Sequence, residues 1–347
     1  MKQILLYILP ILLFIGCSKT PNVALSSLPK ADDENYEEVL NSFINNCKTS
    51  KAETIYNELC EEARQTTDAR NFLHDNFTIE RLNAEDSLLT GYYEPELQGS
   101  LTQSEKYPYP IYNTPKDLVV VDLTSVYPEL TGYRLRGRLE GQKLIPYYRR
   151  DELQNTQINS EVICYCDSKI DLFFLEVQGS GRVNLDNGEV IYVGYDNQNG
   201  HPYKSIGKYL INQDEITQED ISLQSIKQWF KENPSKVDEV LNYNASIVFF
   251  AKREQGATGA LGVELTPLRS VAVDKKYIAL GSMLYLSASS DEVDFNRVVF
   301  AQDTGGAIRG GVRADMFLGF GQNAGKIAGK LKAPLKLWIF KPKKSVN

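Results

Sequence analysis

The sequence predicts a mostly β protein with helical decorations, organised as two β regions. Three observations carry this prediction. From Leu88 to about Tyr195, short β-rich runs alternate with Gly, Pro and Asp/Asn punctuation, at residues 107–112, 118–123, 132–139, 162–165, 172–177 and 190–195. A second β region runs from Ala245 to Phe340, interrupted by one helix-like stretch at residues 322–331. Helical spacing of apolar residues without glycine or proline is confined to residues 36–86, with a further helical interval over residues 206–241. Within that interval, Asn233-Pro234-Ser235 marks a break and an expected N-cap.

Before these elements lies a targeting segment. Lys2 supplies a positive start, and residues 4–15 are apolar except for Pro10. A permanent membrane span needs about 20 such residues, so the run reads as a secretory signal peptide over residues 1–16. It ends in Phe14-Ile15-Gly16-Cys17, which resembles a lipoprotein cleavage box with a small residue before the lipidated cysteine. Cys17 is therefore the expected lipidation site and membrane anchor, the alternative being a free thiol beside an ordinary signal peptide. Ser18 is not the aspartate that retains lipoproteins in the inner membrane, so the expected location is the periplasmic face of the outer membrane. Residues 17–35, polar and containing Pro21 and Pro29, read as a tether.

Export makes disulfides permissible. Cys47 and Cys60 flank a polar segment between two helical stretches and could staple a helical hairpin. Cys164 and Cys166, one residue apart, suit the same face of a strand better than a mutual bridge.

Composition removes several kinds of chemistry. A formal net charge of −7 argues against a nucleic-acid partner. There is no phosphate-binding glycine loop of nucleotide enzymes, and the two histidines, His74 and His201, lie far from cysteines at metal-ligand spacing. No cofactor or metal is implied. Carboxylates remain. Asp274, Asp303 and Asp315 are read at strand-end positions, and Asp303 opens the glycine-dense loop that Asp315 closes, beside Arg309 and Arg313. An Asx turn capping a strand is the plain alternative for each, and it suits Asp274 best.

Residues 262–341 resemble the "3D" domain, named for three aspartates. The segments Leu89-Thr-Gly-Tyr-Tyr-Glu-Pro95, Phe174-Leu-Glu-Val-Gln-Gly-Ser-Gly-Arg182, Val193-Gly-Tyr-Asp-Asn-Gln-Asn-Gly-His-Pro-Tyr203 and Gly259-Ala-Leu-Gly-Val-Glu-Leu-Thr-Pro267 resemble the membrane-bound lytic murein transglycosylase A family. The resemblance covers residues 88–341. It implies a double-psi β-barrel with a second β domain inserted and a groove between them. The implied division is a helical region leading into the barrel at residues 36–100, the insert at 101–243 and the 3D domain at 244–341. It also implies Asp315 as the acid/base, Asp303 as its supporting neighbour, and peptidoglycan glycan strands as the partner.

Glycoside cleavage needs a protonated carboxyl for the leaving oxygen and then a base. If the sugar's own C6 hydroxyl is the nucleophile, one residue can serve both steps and a 1,6-anhydromuramoyl end results. Asp315 then needs a raised pKa, through burial or repulsion from Asp303. Tyr92, Tyr93, Gln178, Gly179, Ser180 and Arg182 are the candidates for the sugar groove, with ordinary strand filling as the alternative for the tyrosines. Two rival readings remain at this level: an aspartic-type protease built on Asp303-Thr304-Gly305, and a non-catalytic glycan-binding lipoprotein. Cell-wall synthesis or division proteins are conceivable partners that the sequence does not identify.

Overall fold

The computed structural model describes residues 22–84, 87–153, 156–290 and 293–343. The signal segment, Cys17 and Ser18 lie outside the described residues.

A short strand, β1 (Asn22–Val23), precedes four helices: α1 (Tyr36–Asn46), α2 (Ser50–Tyr56), α3 (Leu59–Gln65) and α4 (Ala69–Asn76). Asn35, Thr49 and Asp68 cap α1, α2 and α4 through side-chain oxygens that accept backbone N–H bonds. Then follow β2 (Phe77–Leu82), β3 (Ser87–Glu94), β4 (Glu96–Ser100), β5 (Tyr109–Tyr112), β6 (Val119–Val120), β7 (Arg136–Glu140) and β8 (Lys143–Pro146). The middle of the chain supplies α5 (Arg150–Leu153), β9 (Val162–Cys166), α6 (Lys169–Gln178), β10 (Ser180–Leu185) and β11 (Val190–Gln198). Helices α7 (Ile206–Asn212), α8 (Leu223–Glu232) and α9 (Val237–Tyr243) lead to β12 (Val248–Arg253). The last region holds β13 (Ser270–Val273), β14 (Met283–Ser289), β15 (Asp294–Asp303), β16 (Val312–Phe320), α10 (Gly321–Lys330), β17 (Lys332–Ala333) and β18 (Leu335–Pro342).

One nine-stranded sheet runs β1-β2-β18-β14-β15-β13-β16-β3-β17. Leu89, Val271, Leu284, Val299, Ala314, Ala333 and Leu337, from seven different strands of it, meet in one buried cluster, so the sheet is curled around its own core. Helices α1–α4 pack outside, where Phe43, Tyr56 and Phe72 meet Met283, Phe300 and Phe340. A second sheet runs β12-β11-β10-β4-β9-β5, and a small third one β6-β7-β8.

Several expectations are corrected. Residues 172–177 form helix α6, not a strand. Ser168 caps its start, Gly179 ends it with φ 80°, and its apolar residues face two clusters at once, which erases the helical period. Residues 77–82, read as helical, form β2, because pairing with β18 outweighs local propensity. The run 118–123 supplies only the two residues of β6. The tether expectation fails for residues 22–35: Leu25, Leu28 and Ala31 are buried on the helices, and Glu34 is buried against Arg269. Strands β4 and β12 both pair into the second sheet, so the sheets change over near Pro95 and after Arg253 rather than at 100 and 243. The break at Asn233 is present as a 3₁₀ turn, Pro234–Lys236, but the Asn233 amide donates back to the Trp229 carbonyl instead of capping.

Cys47 and Cys60 are disulfide-bonded with a Cα–Cα distance of 5.7 Å, tying the end of α1 to the start of α3. Cys164 and Cys166 are free and buried on one face of β9, and burial pushes both thiols up to about 12.

Candidate active site

Strand β16 alternates. Val312, Ala314 and Met316 enter the sheet core, while Arg313, Asp315 and Phe317 point to the other side. Asp315 is thus a mid-strand residue, not a strand-end one. Its registered neighbours are Thr90 on β3 and Ala272 on β13. Around it, Tyr92, Ala257, Leu265, Ala272, Ile308 and Phe317 form a small apolar cluster, the floor of the site.

Asp303 reaches the same face by a different device. Residues Val299 and Ala301 of β15 point into the core, and simple alternation would send residue 303 there too. The ladder with β13 instead shifts: Val271 pairs with Ala301, and Ala272 with Asp303. Gln302 is the extra residue of this bulge, and the bulge turns Asp303 onto the outer face. Ala272 therefore has Asp303 on one side and Asp315 on the other, which puts their Cα atoms about 10 Å apart at ordinary strand spacing.

Each carboxyl has its own partners. The Thr90 hydroxyl donates to Asp315 Oδ1 at 2.5 Å, and Arg313 Nη2 donates to that hydroxyl at 2.8 Å. Asp303 Oδ2 accepts from the Tyr92 hydroxyl at 3.0 Å, and its Oδ1 accepts from the backbone N–H groups of Ala260 (3.0 Å) and Thr304 (2.8 Å). Burial pushes Asp315 up to about 6; Thr90 and Arg313 pull it down, and the charge of Asp303 adds to the rise. Asp303 is also raised by burial, against the pull of its three hydrogen bonds. Burial, the charge of Asp303 and the bond to it hold the Tyr92 hydroxyl well above its ordinary value.

Asp274 stands apart from this pair. Its carboxylate accepts from the N–H groups of Lys276 and Gly310, both at 3.1 Å, so it ties the end of β13 to the loop between Asp303 and Asp315. Burial pushes its pKa up, but these two bonds and the charges of Arg309 and Lys276 outweigh that and leave it lowered.

The other sequence candidates cluster where the two large sheets meet. Arg182 on β10 makes two bonds to Glu94 Oε2, at 2.9 and 2.6 Å, and its guanidinium lies 3.7 Å over the Phe320 ring. Gln178 Oε1 accepts from the Tyr93 backbone N–H at 3.2 Å, Gly179 is the helix C-cap, and Ser180 opens β10 half-buried. Gly181 permits this junction, since a Cβ there would lie 2.3 Å from Leu175 and 3.1 Å from the Pro95 carbonyl. Tyr92 and Tyr93 do not offer open sugar platforms. They are only 9% and 6% exposed, one tilted on Phe317 and the other packed over Gly325. His201 bonds the Tyr147 carbonyl at 2.8 Å and takes no part in the aspartate cluster.

Sequence reasoning missed Thr90 and Glu94 as individuals, although both lie in the quoted segment 89–95. Ala260 acts through its backbone, which no side-chain pattern reports.

The family model "MltA specific insert domain" matches residues 88–251, and the "3D domain" matches residues 269–341. The chain is 30% identical over 301 residues to membrane-bound lytic murein transglycosylase A of Escherichia coli strain K12, covering 83% of this chain and 75% of that protein. The crystal structure of MltA from Neisseria gonorrhoeae is 32% identical with a TM-score of 0.82, covering 93% and 92% of the two chains. That of E. coli MltA with bound chitohexaose is 27% identical with a TM-score of 0.70, covering 89% and 90%. An aspartic-type protease is thereby set aside, and the chain belongs to the membrane-bound lytic murein transglycosylase A family.

Proposed function

We propose that Asp315 is the single general acid and base with which this peptidoglycan lytic transglycosylase opens the β-1,4 bond between N-acetylmuramic acid and N-acetylglucosamine. The observation that carries the reading is a half-buried carboxyl with a pKa raised to about 6, held at one oxygen by Thr90. Arg313 has only donors to offer, so its bond takes one of the two acceptor sites of the Thr90 hydroxyl and leaves the hydroxyl hydrogen free to be donated. The Thr90 hydrogen goes to Asp315 Oδ1, which leaves Oδ2 as the oxygen for the acidic proton.

That proton passes to the glycosidic oxygen as the C1–O bond breaks. The resulting carboxylate takes the proton of the muramoyl C6 hydroxyl, whose oxygen attacks C1 and closes the 1,6-anhydro ring. Asp315 ends protonated, as it began. Asp303, fixed by Tyr92, Ala260 and Thr304, supplies negative potential for the oxocarbenium-like centre. Gln178, Gly179, Ser180 and Arg182 are the glycan contacts in a groove between the two large sheets, and the curled sheet is the double-psi barrel. Asp274 is structural. Lipidated Cys17 anchors the mature chain on the periplasmic face of the outer membrane; among the described residues no helix is long and apolar enough to cross a membrane.

Mass spectrometry of products released from purified sacculi tests the chemistry. Anhydromuramoyl ends are expected. Reducing ends would make water the nucleophile and call for a second catalytic carboxylate, with Asp303 the first suspect. A fully active Asp315→Asn enzyme would overturn the assignment.

A further inference from the structure

We infer that the last turn of α1, Asn45 and Asn46, is a positioning element for Asp303. The helical cap thus belongs to the catalytic device and is more than an outer support. This rests on the reading of Asp303 and Asp315 given above.

Asp303 has two structural dependencies, and α1 touches both. The first is the Gln302 bulge, without which Asp303 would face the core. Gln302 is 1% exposed, and its side chain is clamped at both ends. Its Oε1 accepts from Ser270 Oγ at 2.6 Å, and its Nε2 donates to Asn46 Oδ1 at 3.2 Å. Asn46 is itself fully buried and donates through Nδ2 to the Gly281 carbonyl at 2.7 Å. Gly281 donates its backbone N–H to the Ala301 carbonyl at 2.8 Å, so Asn46 holds the bulge residue itself and, through Gly281, the residue just before it.

The second dependency is the loop that delivers the Ala260 N–H to Asp303. Leu261 N donates to the Gln302 carbonyl at 2.9 Å, and a Cβ at Gly259 would lie 2.3 Å from that carbonyl oxygen. The loop and the bulge are therefore in direct backbone contact. Asn45 Nδ2 donates to the Glu264 carbonyl at 3.4 Å, further along the same loop.

The turn is held in turn. The Cys47–Cys60 disulfide begins at the next residue, and the segment it closes carries Tyr56, whose hydroxyl accepts from the Met283 N–H at 2.6 Å. An amide pair at this place serves no evident need of the apolar cluster between helices and sheet. Its side-chain hydrogen bonds go to the bulge residue Gln302, to Gly281 beside the strand and to the loop at Glu264.

The test uses the full chain with purified sacculi, comparing wild type, Asn46→Ala, Ser270→Ala, the double variant and Asp303→Asn. Circular dichroism checks folding, and kcat, KM and the pH profile of muropeptide release are measured. Asn46→Ala and Ser270→Ala are expected to lose roughly tenfold or more in kcat at little-changed KM, as small misplacements of catalytic groups do. The alkaline limb of the profile should move to lower pH as Asp303 leaves its place beside Asp315. Because both residues act through Gln302, the double variant should lose less than the product of the two single losses. Folded Asn46→Ala enzyme with wild-type kcat and pH profile would overturn the inference. If Asn46→Ala does not fold, Asn45→Ala, which removes the contact of the same turn with the Glu264 carbonyl, decides on the same criteria. Wild-type turnover by Asp303→Asn would instead remove the reading on which the inference rests. An impaired Asp303→Asn enzyme beside normal Asn46→Ala and Ser270→Ala enzymes would sink the inference alone.

Discussion

Thr90 donates its only hydroxyl hydrogen to Asp315 Oδ1, at 2.5 Å, while the same hydroxyl accepts from Arg313 Nη2 at 2.8 Å. One threonine thus holds one oxygen of Asp315 and lowers the pKa that burial raises.

Thr90→Val is nearly isosteric and removes both functions. A hydrogen bond to a charged group is worth about 1.5–3 kcal/mol, so kcat should fall roughly tenfold or more. The pKa of Asp315 should rise, since a lowering influence is gone, and the alkaline limb of the kcat profile should move to higher pH. Thr90→Ser should keep both the limb and most of the rate. A Thr90→Val enzyme with an unmoved limb would mean that the hydroxyl does not act on Asp315.

Asp274→Asn should change stability more than rate. The carboxylate accepts two backbone N–H groups, from Lys276 and Gly310. An asparagine carbonyl can accept one of them, and its NH₂ then faces the other donor. The expected loss is on the order of 1–3 kcal/mol, the cost of a buried donor left unmet, read from denaturant unfolding at neutral pH. The folded pKa is lowered, so the stability this group confers is present above the unfolded pKa and lost as pH falls through the folded one. The gap between variant and wild type should therefore close in acid. A gap that stayed constant with pH would contradict the role.

The Glu94–Arg182 pair joins β3 of the curled sheet to β10 of the second sheet, with Glu94 1% exposed. Arg182→Ala strands a buried carboxylate whose pKa burial already raises, at a cost of about 3 kcal/mol or more. In a Glu94→Gln background the same change should cost much less. Equal costs in the two backgrounds, measured by thermal or denaturant unfolding, would show that the pair does not join the sheets energetically.

The fold was legible where local chemistry and tertiary fate agree. Gly179 and the Asp303 loop punctuate the sequence because the backbone there must turn, and Cys47 and Cys60 advertise a staple once a signal peptide is read ahead of them. Phe173, Phe174 and Leu175 misled because a helix buried on two sides carries a strand-like apolar run. Asp315 reads from the sequence as a strand-end residue, since a polar residue in a strand resembles a terminus unless its outward parity is known. The Gln302 bulge was invisible. A bulge is a relation between two strands, and Val299, Ala301 and Asp303 alone give no sign that the parity changes between them.

The half-buried Asp315 costs the fold stability at neutral pH. Its unfolded pKa is near 3.8 and burial raises the folded value to about 6, with the charge of Asp303 contributing in the same direction. Between those values the folded state holds a proton that the unfolded state has released, so stability falls as pH rises from about 4 to about 6 and stays lower above that. At about 1.4 kcal/mol per pKa unit, the penalty at pH 7 is on the order of 1–3 kcal/mol. Asp315→Asn keeps an oxygen for the Thr90 hydroxyl but carries no charge. It should therefore lose essentially all turnover while unfolding at a higher temperature than wild type at pH 7, and the two proteins should converge near pH 4. Thermal unfolding across this range, beside muropeptide release at each pH, checks both halves. A variant that was inactive and also less stable than wild type at pH 7 would mean that Asp315 is held as a structural carboxylate rather than as a strained acid.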